Sequence, residues 1–236
     1  MRVRLFYFFM EHTITALKAQ KRNPNRINVY IDGEFGFGVS RIVAAWLSIG
    51  QVLSEERIDA LKIDDEMEIA FQQALKFLDY RMRSSNEVEH YLLNKGTSQE
   101  TISQVVERLN RSGLVDDSRF AQLWTENRSE FRPRSRRFIS RELHLKGVSE
   151  EVIEETLNEM LPEEDLAYQA GLKYSRKLTD IDRNAFIRKL AGFLARRGFS
   201  YDVINPVTIR LWEEWEYNHS SDPDLAHEQD EEERLH

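Results

Sequence analysis

Residues 132–157 read RPRSRRFISRELHLKGVSEEVIEETL, and the order of residue types in this stretch decides the architecture of most of the chain. Ile139 and Leu143 stand eight and four residues before Gly147, a spacing that puts both on one helix face. Gly147 falls where the chain must leave that helix in a left-handed conformation, and Lys146 before it complements the negative end of the helix dipole. Ser149 is placed to cap the amides of a second helix, and Ile153 turns that helix back into the shared core.

The same pattern occurs three times without gaps, in EHYLLNKGTSQETISQV, in the stretch above and in GFLARRGFSYDVINPV. The glycines are Gly96, Gly147 and Gly198, each 51 residues apart. Val88, Ile139 and Leu190 precede them by eight, Leu92, Leu143 and Leu194 by four, and Lys95, Lys146 and Arg197 by one. Ser98, Ser149 and Ser200 follow by two, and Ile102, Ile153 and Ile204 by six. Internal repetition at a fixed lag is the signature of a tandem array. Ser84-x-x-Glu87, Asp116-Asp117 and Pro162-Glu-Glu supply a start for another helix in each copy. The expected helices are 66–82, 85–95 and 99–111, then 117–130, 135–146 and 150–160, then 163–178, 181–197 and 201–217. Pro206 is expected to interrupt and kink the last one.

Upstream, Thr13–Ala16, Arg26–Ile31 and Glu34–Ser40 are short, β-branched or aromatic, and bounded by turn residues, with Asp32-Gly33 as a hairpin signal. Residues 41–64 read as helical, with Ser54-Glu-Glu-Arg57 as a helix start. The glycines of Gly33-Glu-Phe-Gly36-Phe-Gly38 lack phosphate-loop spacing and suit a bent strand. The fold expected is mainly α: three tandem three-helix repeats in an elongated curved array, with a small N-terminal β-meander plus helix. The expected divisions are a disordered extension (1–12), a β-rich domain (13–64), repeats at 65–113, 114–161 and 162–217, and a disordered acidic tail (218–236). Translation from Met10 instead of Met1 would remove most of the extension.

Of 236 residues 41% are hydrophobic, 31% are charged and none is cysteine, which excludes wholesale disorder, disulfides, Cys-based metal sites and thiol nucleophiles. The longest apolar run, Leu5–Met10, is far below the ~18–20 residues that span a bilayer, so a cytoplasmic protein without membrane contact is expected. The net charge of −8 is concentrated at the end. Residues 213–236 hold ten acids and one arginine, leaving 32 bases and 31 acids before them. No Gly-x-Ser-x-Gly, His-Glu-x-x-His or Walker motif is present, no histidines pair at i, i+4, and the acids lie in solvated runs. A non-enzyme with no cofactor and no metal is expected.

The prominent chemical feature is a run of cations: Arg132, Arg134, Arg136, Arg137, Arg141 and Lys146, four of them arginines within six residues, flanked by Phe131 and Phe138. Arg188, Lys189, Arg196 and Arg197 occupy the equivalent helix of the third repeat. A solvated helix face would carry such a run without function. Arginine over lysine instead favours planar recognition of carboxylate or phosphate, so a groove lined by both sets would bind an acidic surface or a nucleic-acid backbone. Base reading by a helix-turn-helix is disfavoured, because the would-be recognition helix carries Glu150, Glu151, Glu154, Glu155 and Glu159 without a base.

The stretches FLDYRMRSSNEVEHYLLNKG (77–96), GLVDDSRFA (113–121), RPRSRRFISRELHLKGVSEEVIEETL (132–157) and FLARRGFSYDVI (193–204) together resemble the RecX regulatory family. TITALKAQKRNPNRINVYIDGEFGFGVS (13–40) resembles the β-rich extension of some members. The resemblance implies three tandem three-helix repeats and a modulator, usually an inhibitor, of the RecA recombinase. Such a protein lies in the groove of the RecA filament and suppresses ATP hydrolysis, strand exchange and filament growth. DNA, single- or double-stranded, is a further implied partner, and a monomer is expected. The ten cations named above are then the expected contact residues; the charge of the acidic tail suits a solubilising segment, or one that competes weakly for those cations.

Overall fold

A computed structural model describes residues 11–179 and 181–220. The N-terminal extension up to Met10 and the tail from Ser221 lie outside the described residues. The chain divides into two compact units, Met1–Asp116 and Asp117–His236.

The first unit begins with β1 (His12–Ala19), β2 (Arg26–Ile31) and β3 (Glu34–Ser40), followed by α1 (Arg41–Ala44), β4 (Val52–Leu53), α2 (Glu55–Leu78), α3 (Ser85–Leu93) and α4 (Gln99–Arg111). The sheet order is β3-β2-β1-β4, antiparallel throughout. Asp32 and Gly33, at φ 51° and 92°, make the β2–β3 turn that Asp-Gly demands. Register shifts at Ile14/Ala16 and Val29/Tyr30 curl the sheet around Ile14, Val29, Val39, Leu53 and Leu61, all at most 1% exposed.

The expected helix over 41–64 is corrected. A single turn, α1, is followed by β4, which pairs with the start of β1, and the true helix starts at Glu55, where the Ser54 hydroxyl accepts from the Arg57 amide. A two-residue strand is too short to show an alternation in sequence. Helix α2 then runs unbroken past residues 64–66. Its Leu61 packs in the sheet core, while Ala70, Phe71 and Ala74 pack with Val88, Leu92, Ile102, Val105 and Leu109 of the first bundle. Asp65, at the crossing, is buried and accepts from the Arg26 guanidinium at 2.8 Å and from the Ser40 amide. The expected boundary at 64/65 thus falls inside one helix that serves both cores.

The second unit holds α5 (Asp117–Phe131), α6 (Arg136–Leu145), α7 (Glu150–Asn158), α8 (Glu163–Ser175), α9 (Arg183–Ala195) and α10 (Tyr201–Ser220). Gly96, Gly147 and Gly198 all have left-handed φ, at 84°, 74° and 89°. Each closes the same Schellman motif: the amide after the glycine donates to the leucine carbonyl four residues before it, at 3.2 Å (Thr97 to Leu92), 3.2 Å (Val148 to Leu143) and 3.4 Å (Phe199 to Leu194). The repeat's apolar positions are buried in every copy, Ile204 being the most exposed at 6%.

The caps are less uniform than the repeat suggests. Ser84, Ser98 and Ser135 accept from the amide three residues on, whereas Ser149 occupies the N-cap position without a side-chain bond. In the third repeat α9 is capped by Asp182, a turn earlier than the lag from Ser84 and Ser135 requires, because the corresponding position is Phe186, fully buried in the core. Helix α10 runs through Pro206 without interruption, correcting the expected break. Pro206 lies near the helix start with Asp202 and itself exposed, so the carbonyl it leaves without an amide faces water.

Candidate partner-binding surface

Sequence makes α6 the centre of the basic run, and its N-terminus shows how the arginines are divided. Ser135 is fully buried, and its hydroxyl accepts from the Phe138 amide at 3.2 Å. Its own amide donates to the Arg197 carbonyl at 3.1 Å, which ties the start of α6 to the turn between α9 and α10. Gly198 completes this contact: a Cβ there would lie 2.6 Å from Ser135 Oγ and 3.2 Å from Phe138 Cβ. The second and third repeats therefore meet near the start of the second repeat's basic set and the end of the third's.

Arg134 and Arg197 meet at this junction. Arg134 lies over the Phe138 ring at 4.2 Å and reaches Glu142 Oε1 at 3.5 Å. Arg197 lies over Phe193 at 3.7 Å, and Phe193 stacks on Tyr174 at 4.0 Å. Burial, and then the positive charges of Arg134 and Arg196, hold the Arg197 guanidinium below its ordinary pKa. Glu142 organises the other side: it accepts from Trp124 Nε1 at 2.9 Å and Arg128 Nε at 2.6 Å, with Arg128 over the Trp124 ring at 4.5 Å and Lys146 Nζ at 5.4 Å.

Arg136 behaves differently from its neighbours. Its Nη2 donates to the carbonyls of Met160 at 2.7 Å and Leu161 at 3.0 Å, and its amide donates to Glu163 Oε2 at 3.2 Å. That guanidinium fastens the α7–α8 link. Arg132, Arg137, Arg141, Arg188, Lys189 and Arg196 are exposed. Arg188 acts on Asp182, helping the Ala185 amide hold that carboxyl below its ordinary pKa. The structure thus brings Arg134 and Arg197 to one junction, seats Lys146 near Trp124, leaves exposed cations before and along α6 and along and just after α9, and takes Arg136 into the fold.

The aromatic bed was not among the expected site residues. Trp124, Tyr174 and Phe193 lie on helices whose apolar positions look like ordinary core. The 51-residue lag carries a signal for Phe193 alone: Tyr91, Glu142 and Phe193 are equivalent, as are Lys95, Lys146 and Arg197 four residues later. The first repeat has its own version, with Arg83 over Phe77 at 4.0 Å, Phe77 stacked on Tyr91 at 4.2 Å, and Lys95 Nζ at 5.5 Å from Tyr91. The base before each glycine therefore sits over an aromatic ring as well as at a helix end.

Among the described residues no helix is long and apolar enough to cross a membrane, and no group of three or more His, Asp or Glu is placed to hold a metal ion. Models of the regulatory protein RecX N-terminal domain and of the first, second and third RecX three-helix domains match residues 12–54, 70–109, 116–157 and 162–208. Regulatory protein RecX of Bacillus cytotoxicus is 33% identical over 210 residues, spanning 85% of this chain and 77% of that protein. That of Bacillus subtilis strain 168 is 31% identical over 215 residues, spanning 89% and 79%. A crystal structure of regulatory protein RecX superposes with a TM-score of 0.67 at 26% identity, covering 83% of this chain and 98% of that one. RecX from Lactobacillus salivarius superposes with a TM-score of 0.55 at 25% identity, covering 63% and 97%. With four family domains in order on the β-rich unit and the three glycine-punctuated bundles, the chain belongs to the RecX family of regulatory proteins.

Proposed function

We propose that this protein binds RecA recombinase filaments and inhibits their ATPase activity, strand exchange and growth during homologous recombination and DNA repair, acting by occupancy and not by turnover. The observation that carries the reading is the bond from the Ser135 amide to the Arg197 carbonyl, which brings the ring-backed Arg134 and Arg197 to one junction of the second and third repeats. Like charges gathered over aromatic rings repel one another, and an anionic partner relieves that repulsion. Planar guanidinium groups suit the carboxylates of an acidic protein surface. A filament repeats its surface at every protomer, so a ligand of tandem units gains effective concentration by engaging neighbours.

The test uses exposed cations that make no part of the fold. Replacing Arg137, Arg141 and Arg196 with Ala should weaken inhibition of filament ATPase at least tenfold and flatten its salt dependence. Unchanged inhibition would refute the assignment. The same three side chains would also serve DNA phosphates, a second reading favoured by the planar, ring-backed Arg134 and Arg197. Co-sedimentation with filaments, and separately with bare single-stranded DNA, at two salt concentrations separates the two.

A further inference from the structure

The first unit carries a cleft that the basic surface of the second unit does not involve. It has a volume of about 720 Å³ and lies between α1, the turn before β2 and one face of α2. Its apolar lining is Ile42, Ala45 and Ile69, with Ile42 57% exposed. Trp46, next to Ala45 in the chain, is 83% exposed. A tryptophan so fully in water, one residue along the chain from a cleft-lining alanine, is suited to contact.

The polar groups of the cleft narrow the chemistry. Arg41 and Lys76 line it, and neither forms a salt bridge among the described residues. The acid lining it, Glu68, is already engaged by Arg108 at 3.0 Å and Gln72 at 2.9 Å. The cleft therefore asks for an apolar side chain and a nearby carboxylate. Nucleic acid would satisfy the cations but leave Ile42 and Ile69 in water.

We propose that this cleft docks an acidic, apolar-anchored segment of a partner protein, with Trp46 as an anchor beside it. The proposal rests on the filament reading above, and it places that segment on the recombinase. It gives the first unit a contact of its own, separate from the arginines of the second.

The experiment is co-sedimentation of the full chain with recombinase filaments on single-stranded DNA, alongside binding to bare single-stranded DNA. Ile42→Glu with Trp46→Ala should weaken filament binding roughly tenfold or more, and leave binding to bare DNA unchanged. Arg41→Glu with Lys76→Glu should weaken filament binding too, and most at low salt. All four side chains are exposed, so the fold is retained. Filament binding equal to wild type in both variants would overturn the cleft and leave the filament reading standing. Loss of bare-DNA binding in the Ile42/Trp46 variant would overturn it as well. A wild-type chain that does not sediment with filaments would bring down both.

Discussion

Arg136 sits in the middle of the basic run, yet its loss should destabilise the second unit and affect binding only through the fold. Its guanidinium reaches two carbonyls and stands half-buried between α6 and the α7–α8 link. A charged donor on a partly buried carbonyl is worth about 1.5–3 kcal/mol. Leu161 is exposed, so its carbonyl turns to water and the second bond adds only about 0.5 kcal/mol. The buried Nε has no partner among the described residues, and deleting it returns on the order of 1 kcal/mol. The net cost of Arg136→Ala is therefore about 2 kcal/mol, or roughly 6–8 °C for a unit of this size. Arg136→Lys, a point charge able to serve one carbonyl, should lie near the middle. Arg137→Ala, one residue on but exposed, should stay within about 0.5 kcal/mol. Urea titration followed by the fluorescence of Trp124, Trp212 and Trp215 measures all three in the second unit. If Arg136→Ala and Arg137→Ala prove equally stable, and the former alone loses filament binding, Arg136 is a contact residue and the structural role argued for it is wrong.

Three further outcomes are expected. Gly96→Ala meets open space and should cost about 1–2 kcal/mol for its left-handed φ alone, whereas Gly198→Ala also strikes Ser135 and Phe138 and should cost clearly more; equal midpoints in thermal melts would remove the contact between the second and third repeats. Ser135→Ala should cost about 1–2 kcal/mol as a buried cap, and Ser149→Ala only a few tenths, read by the same urea titration; a reversed order would contradict the capping described. The Thr13 amide, and after it His12, hold the Asp32 carboxyl below its ordinary value, so its stabilisation is complete above the unfolded pKa and fades as pH falls below about 4. Asp32→Asn, which tolerates the same turn, should flatten that acid limb in melts between pH 2 and 6; an unchanged limb would rule the pair out as its source.

The three bundles were legible because their information is local. A left-handed turn needs glycine, a helix core needs apolar residues three or four apart, and both leave marks that a 51-residue lag multiplies. Gly96, Gly147 and Gly198 and the leucines four before them do in space what their spacing says. The N-terminal region was less readable. The β4 strand exists only because β1 is there to pair with it, and α2 crosses from sheet to bundle on an Asp65–Arg26 bond between residues 39 apart in sequence. Phe186 moved the start of α9, since filling the core outweighs keeping a cap in register.

The sequence by itself determined that the chain is a thrice-repeated helical module, that its second and third copies are rich in arginine, and that no familiar catalytic motif is present. Only the tertiary structure decided which arginines remain outward. Arg134 and Arg197 are neighbours because Ser135 bonds the turn at Gly198, and Arg136 is withdrawn because two carbonyls from the next link lie within its reach. The physical reason is that charge is written residue by residue, whereas a hydrogen-bonding partner is set by whatever distant segment the packing delivers.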